Sequence, residues 1–108
     1  MKIEITEQDG YKVAILDGRL DTPASPAAAD ALEPLKTCTD KDIIFDFTEL
    51  TYIASSGLRI LLEMQKHARK NGHKCYIKNM NKNIREAFEF TGFIDIFDYI
   101  PSLSENNA

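Results

Sequence analysis

A strand, a helix and a second strand follow one another in the middle of the chain, and this pattern limits the possible folds more than any other feature. Residues 43–47 (IIFDF) are a short, strongly apolar run of the kind that forms a buried strand. In residues 56–71 the apolar side chains recur at helical spacing, and Asn71-Gly72 supplies a left-handed C-cap. Residues 74–78 predict the next strand. A strand, a crossover helix and a parallel strand imply an α/β domain.

The N-terminal segment adds a hairpin to this pattern. Apolar side chains alternate along residues 3–5 and 11–15, on either side of a tight Asp9-Gly10 turn. Residues 97–100 predict a short last strand that ends at Pro101. The expected fold is therefore α/β, with an N-terminal β-hairpin and parallel βαβ crossovers in a mixed sheet of about four to five strands, packed with about three to four helices.

Proline and glycine mark the limits of the other helices. Residues 25–35 are alanine-rich, with Pro26 suited to the first turn and Pro34 expected to end or kink the helix. Residues 81–91 predict a third helix, which Gly92 closes. Its buried face is expected to contain Ile84, Ala87, Phe88 and Thr91. We expect one domain over residues 1–100, followed in residues 101–108 by a short tail or a single helical turn.

Charge and composition limit the classes of partner. The 108 residues carry a formal net charge of −4, whereas nucleic acids and anionic membranes favour basic patches. Neither is therefore expected as a direct partner. No apolar run approaches the length of a membrane span, and no secretory signal is visible. Cys38 and Cys75 lie far apart without metal-ligand spacing. We expect a cytoplasmic protein with reduced thiols, no metal and no cofactor.

Two serines, Ser55 and Ser56, stand where a short polar loop after the apolar strand meets the amphipathic helix. The first backbone N–H groups of a helix lack intrahelical partners and lie at the positive end of its dipole. Ser55 could therefore be an N-cap, worth about 1 kcal/mol, or it could carry a phosphate. Asp21 also follows a strand, so it should emerge at the same edge of the sheet as Ser55.

An enzymatic role for the serine loop meets geometric obstacles. A G-x-S-x-G nucleophile elbow would need glycine at Ile53. His67 and His73 lie roughly 18 Å or more from Ser55 along the helix, far outside hydrogen-bond reach. Asp46 lacks the acidic partners of a phosphoaspartate site and is expected to accept hydrogen bonds from the loop that follows it. We therefore predict that the protein is not an enzyme.

Residues 45–58 (FDFTELTYIASSGL) resemble the STAS domain of bacterial anti-sigma factor antagonists. Three further regions fit the same family: residues 18–21 (GRLD), Asn71-Gly72, and residues 88–93 (FEFTGF). The resemblance therefore covers nearly the whole chain, in the order of the family. It implies a regulatory binding protein, which we expect to be a monomer when free, although the sequence leaves the oligomeric state open.

In that family the first serine of the Ser-Ser-Gly-Leu motif is phosphorylated by an anti-sigma factor that is itself a serine kinase. The unphosphorylated antagonist binds the anti-sigma factor and releases the sigma factor, and a metal-dependent serine phosphatase reverses the modification. The resemblance implies that Ser55 is the phosphoacceptor and that Asp21 is the acidic residue of the neighbouring loop. A phosphate beside Asp21 would have no obvious countercharge in this chain.

The expected partner-binding surface contains five residues: Asp21, Ser55, Ser56, Gly57 and Ile60. On the helical wheel Ile60 lies at the edge of the apolar arc, where it could anchor a partner or simply border the core. Family members usually carry an acidic residue before the phosphorylated serine, but here it is Ala54. An alternative therefore stays open, namely a STAS subunit of a transporter or multiprotein complex that binds without a phosphate cycle.

Overall fold

The computed structural model describes residues 1–37 and 40–100, which form a mixed five-stranded sheet with three α-helices. The expected fold class is confirmed. Predictions for Cys38, Pro101 and the tail of residues 101–108 lie outside the described residues. Within them, no helix is both long enough and apolar enough to cross a membrane. The elements are β1 (Lys2–Gln8), β2 (Tyr11–Leu20), α1 (Ser25–Lys36), β3 (Ile43–Ile53), α2 (Ser55–Lys70), β4 (Cys75–Lys78), α3 (Lys82–Thr91) and β5 (Asp98–Ile100).

The strands lie in the sheet in chain order, so β3 is the central strand. β1 and β2 pair antiparallel across the Asp9-Gly10 turn, where φ is 52° and 85°. Positive φ at both central residues is the geometry of the preferred two-residue hairpin turn, and the hairpin prediction is confirmed. The remaining neighbours, β2–β3, β3–β4 and β4–β5, are all parallel.

β3 is longer than predicted, and the short polar loop expected after residue 47 does not exist as a loop. The strand continues to Ile53 because β2 also continues, to Leu20, and the two pair along this length. The register shifts near Gly18, whose φ is 109°. In the second half of β3, two exposed residues lie between successive buried ones. The sequence there therefore lacks the strict alternation of buried and exposed residues that indicates a strand.

Two details of the helices also differ from expectation. Pro34 lies inside the last turn of α1, and the helix continues to Lys36. A proline removes a single helical hydrogen bond there, close to a helix end, so the chain continues for two more residues. Thr91 is exposed rather than buried, and its hydroxyl donates to the Ala87 carbonyl, 2.9 Å away.

Gln65, a polar residue on the buried face of α2, has a structural role. Its side chain is 2% exposed, its Nε2 donates to the Ile96 carbonyl (2.6 Å), and its Oε1 accepts from the Cys75 backbone N–H (3.2 Å). Both polar atoms of the buried amide are therefore satisfied. Through these bonds Gln65 joins α2 to β4 and to the segment before β5. Burial also raises the pKa of the Cys75 thiol to about 12, which makes it unreactive in the folded protein.

Candidate functional site

The fold brings the ends of β2 and β3 together at one edge of the sheet. Leu20 pairs with Ile53, and the Ala54 backbone N–H donates to the Leu20 carbonyl at 2.9 Å. Asp21 follows Leu20 along the chain, and Ser55 follows Ala54. The prediction that Asp21 and Ser55 emerge at the same edge is confirmed.

Ser55 is the first residue of α2 rather than its N-cap. The N-cap is Ala54, whose backbone is extended (φ −93°, ψ 168°) and whose side chain caps nothing. The N-cap hypothesis for Ser55 is therefore wrong. Ser55 is exposed, and within residues 1–37 and 40–100 its hydroxyl makes no hydrogen bond. An exposed hydroxyl thus stands at the positive end of a 16-residue helix that has no side-chain cap.

Ser56 differs from its neighbour in its surroundings. Its Oγ lies 2.8 Å from the Oγ of Ser25, at the start of α1, and 3.5 Å from Oγ1 of Thr22. Ser25 is only 7% exposed, and its hydroxyl also donates to the Asp21 carbonyl at 2.8 Å. Ser56 is half-buried. It therefore helps to join α2 to α1 and to the loop that carries Asp21.

Asp21 has partners on both of its carboxylate oxygens. Oδ1 accepts the Ala24 backbone N–H at 3.0 Å, in the turn that leads into α1. Oδ2 lies 3.8 Å from Nε of Arg19, whose guanidinium carbon stands 4.4 Å from the centre of the Tyr52 ring. Arg19 is thus a cation beside Asp21 at this edge, and the lack of a countercharge for a phosphate on Ser55 stays a prediction. The sequence shows that Arg19 and Asp21 are two positions apart, but it does not predict that their side chains are in contact.

Gly57 is buried where α2 crosses the ends of β2 and β3. A Cβ at this position would come within 2.6 Å of Leu20 Cγ and 3.1 Å of Ile53 Cγ1. Real Cβ atoms essentially never come as close as 2.6 Å, so any larger residue here would require Leu20 or the helix to shift. The packing explains Gly57, and its contact with a partner stays a prediction.

Ile60 is half-buried and packs against the hydrophobic core. It also lines a shallow cavity of about 230 Å³ between α1 and α2, together with Ala29 and Met64 and with the charged side chains of Lys36, Arg59 and Glu63. Both roles considered for Ile60, a core border and a partner anchor, are compatible with this position.

An open groove of about 590 Å³ lies beside Ser55, and the sequence did not reveal it. Thr22 and Ser55 lie on one side, Tyr52 lies at the end of β3, and α3 forms the other side with Glu86 and Phe90. Phe90 is 94% exposed and Tyr52 is 41% exposed. A signal existed in the sequence, because Phe90 falls two residues after the buried Phe88 and so leaves the apolar face of α3.

The described residues offer little that would support catalysis by Ser55. His73 Nδ1 lies 3.0 Å from Asp42 Oδ1, just before β3 begins, whereas Ser55 follows the other end of that strand. Asp46 accepts the Thr48 backbone N–H at 3.0 Å, as expected. Across residues 1–37 and 40–100, no three His, Cys, Asp or Glu side chains lie close enough together to hold a metal ion.

Comparison with known proteins agrees with the resemblance seen in the sequence. The family model of the STAS domain matches residues 2–106. The anti-sigma-B factor antagonist of Staphylococcus aureus (strain NCTC 8325 / PS 47) is 28% identical, over 89% of this chain and 89% of its own length.

Two solved structures share the fold. The anti-sigma factor antagonist of Mycobacterium paratuberculosis superposes with a TM-score of 0.84 at 20% identity, covering 96% of this chain and 88% of that one. The Bacillus cell fate determinant SpoIIAA in its phosphorylated form superposes with a TM-score of 0.71 at 18% identity. The match covers 98% of this chain and 96% of that one.

Proposed function

The chain belongs to the STAS domain family, and on that premise we propose that it is an anti-sigma factor antagonist whose binding is switched by phosphorylation of Ser55. In the unphosphorylated state it binds an anti-sigma factor that is itself a serine kinase, and a sigma factor is thereby released for transcription. A metal-dependent serine phosphatase restores that state. The name of the Staphylococcus aureus relative supports the proposal.

The observation that carries the proposal is the exposed hydroxyl of Ser55, which makes no hydrogen bond within the part of the chain that the structure describes. A kinase brings its own nucleotide and its own base, so the acceptor needs only to be reachable. Ser55 meets that requirement without any catalytic group in this chain. The proposed role is thus that of a substrate and binding protein, not of an enzyme.

A phosphate on Ser55 is expected to leave the fold nearly unchanged. It adds about −1.5 to −2 charges at pH 7. Those charges lie at the start of α2, where the helix dipole is positive and no side chain of Ala54 occupies the first-turn N–H groups. The modification therefore acts on binding rather than on folding.

The proposed partner surface surrounds Ser55. To the predicted residues Asp21, Ser55, Ser56, Gly57 and Ile60 we add the groove beside Ser55, because exposed aromatic side chains such as Tyr52 and Phe90 are typical interface anchors.

A partner that covers this groove must remove water from Ser55. For a hydroxyl the cost is small, but for a phosphate dianion beside the Asp21 carboxylate it is large. Arg19 is the cation next to Asp21, and it already contacts both Asp21 and Tyr52. We therefore propose that phosphorylation prevents binding through desolvation and repulsion.

Intact-mass spectrometry of the protein from its native cell tests the phosphorylation step. We expect one added phosphate on the wild type and on Ser56→Ala, the matched control, and none on Ser55→Ala. If no growth condition yields a phosphate, the proposal fails. The chain would then be a constitutive STAS binding module of a transporter or multiprotein complex.

A further inference from the structure

We propose that Ser25 determines which of the two adjacent serines is phosphorylated, by engaging the Ser56 hydroxyl and leaving Ser55 as the acceptor. Ser25 is thus a positioning residue. The inference rests on the proposed function, and it concerns a residue that neither the serine motif nor the predicted binding surface contains.

Ser25 forms a buried bridge between the starts of two helices. It is the first residue of α1, whereas Ser56 is the second residue of α2, 31 positions later. The Ser25 Oγ lies 2.8 Å from the Ser56 Oγ and 2.8 Å from the Asp21 carbonyl oxygen. With only 7% of its surface exposed, this hydroxyl is out of reach of a second protein.

The Asp21 carbonyl and the contact distances together favour one direction for each hydrogen bond. A carbonyl oxygen can only accept, so the single hydroxyl hydrogen of Ser25 is donated to Asp21. The Ser25 oxygen is then the acceptor in its contact with Ser56. The single hydrogen of Ser56 is donated to Ser25 at 2.8 Å rather than to the more distant Thr22 Oγ1 at 3.5 Å. The hydrogen of Ser56 therefore points toward a buried oxygen.

Phosphoryl transfer needs that hydrogen to be accessible. The serine Oγ forms a bond to the γ-phosphorus of a nucleoside triphosphate held by the kinase, and the bond from that phosphorus to the departing nucleoside diphosphate breaks. The hydroxyl proton passes to a base of the kinase, which must come within hydrogen-bond reach. For Ser56 that position is occupied by Ser25, whereas the hydroxyl of Ser55 is open to solvent.

The test is to locate the phosphate by peptide fragmentation in protein made in its native cell. We expect wild type to carry it almost entirely on Ser55, with only a trace on Ser56. In Ser25→Ala the fraction on Ser56 should rise roughly five- to tenfold, the ratio that corresponds to losing one hydrogen bond. Ser25→Thr should restore the wild-type pattern, and Thr37→Ala, which removes a hydroxyl at the other end of α1, should not change it.

A second pair of variants separates site choice from general damage to the fold. Ser55→Ala should take no phosphate, whereas Ser55→Ala combined with Ser25→Ala should take one on Ser56. If Ser25→Ala does not fold, as judged by its melting curve, Ser25→Cys preserves the shape with a weak acceptor and should redistribute the phosphate in the same direction.

The outcomes distinguish this inference from the function on which it rests. Comparable amounts of phosphate on both serines of the wild type would overturn the inference and leave the switch intact. An unchanged Ser56 fraction in folded Ser25→Ala or Ser25→Cys would do the same. A wild type without any phosphate would overturn the proposed function and this inference with it.

Discussion

The starts of α2 and α3 lie at the same edge of the sheet, and their N-cap residues have nearly the same backbone conformation. Ala54 has φ −93° and ψ 168°, and Asn81 has φ −75° and ψ 170°. Only Asn81 has a side chain that caps, and it accepts the Ile84 backbone N–H at 2.9 Å. With the same backbone geometry, the start of α3 thus has a side-chain cap, and the start of α2 has none and is called open.

The presence or absence of a cap distinguishes the two helix starts: the capped start of α3 serves stability, whereas the uncapped start of α2 is available for binding or modification. Asn81 also donates to the Leu50 carbonyl at 2.9 Å, so it fastens α3 to β3. The start of α2 has no side-chain cap, and packing at Gly57 together with the bond between Ser56 and Ser25 holds it instead. An uncapped start with an exposed hydroxyl can receive a phosphate without first losing a cap.

Gly57→Ala tests whether packing holds the open start of α2. Because the new Cβ would lie 2.6 Å from Leu20 Cγ, we expect the free energy of unfolding to fall by about 1 to 3 kcal/mol. Urea denaturation measures the change. Ala68, on the same buried face of α2, offers a control, since Ala68→Gly removes a methyl group without a clash. An unchanged midpoint for Gly57→Ala would show that Leu20 moves aside freely.

Phe90→Ala tests whether the groove beside the open start binds the partner. We expect the free energy of binding to the proposed anti-sigma partner to become less favourable by about 2 kcal/mol, as for an aromatic anchor. Stability should not change, because Phe90 is 94% exposed. Titration calorimetry measures the binding. Tyr99→Ala removes an aromatic residue outside the groove and should bind normally, so an equal loss in both variants would argue against the groove.

Asn81→Ala should make the start of α3 resemble that of α2. The variant loses the cap and the bond to Leu50, and we expect a loss of about 1 to 2 kcal/mol in the free energy of unfolding. Thermal unfolding checks the value. Asn83→Ala, two residues further along in the first turn of the same helix, serves as the control. A loss as large in the control would mean that the cap is not the cause.

Ala54→Asn is the converse change, since it gives α2 the cap residue of α3. The backbone is already extended, so the new side chain should cap the helix and raise the free energy of unfolding by about 1 kcal/mol. The control, Ala54→Val, adds bulk without a capping oxygen. If Ala54→Asn does not stabilise the protein, the two starts differ in more than one side chain.

Ser55→Ala should have the smallest effect on stability. The hydroxyl makes no hydrogen bond within the described residues, so we expect a change below about 0.5 kcal/mol. Ser56→Ala removes the bond to Ser25 and should cost about 1 kcal/mol. A larger loss for Ser55→Ala than for Ser56→Ala in denaturant titrations would contradict the contrast between the two serines.

The sequence predicts features that depend on local patterns and on the rules of parallel sheets. It placed Asp21 and Ser55 at one edge, and it identified the left-handed caps at Gly72 and Gly92, both with φ of 80°. Each of these follows from neighbouring residues or from the way parallel strands align.

Other features depend on contacts between distant parts of the chain, which no local pattern encodes. The second half of β3 is a strand because β2 lies beside it. Whether Ser55 or Ala54 is the N-cap depends on a one-residue offset in backbone angles. The bond between Ser25 and Ser56 joins residues 31 positions apart, and only the packing of α1 against α2 creates it.

The most direct test of the switch is the affinity of the anti-sigma partner for two forms of this protein, unphosphorylated and phosphorylated on Ser55. The partner is first isolated on the unphosphorylated chain, and both affinities are then measured by titration calorimetry, with circular dichroism to compare the folds. We predict unchanged spectra and an affinity at least roughly 30-fold weaker for the phosphorylated form. Equal affinities for the two forms would contradict the account.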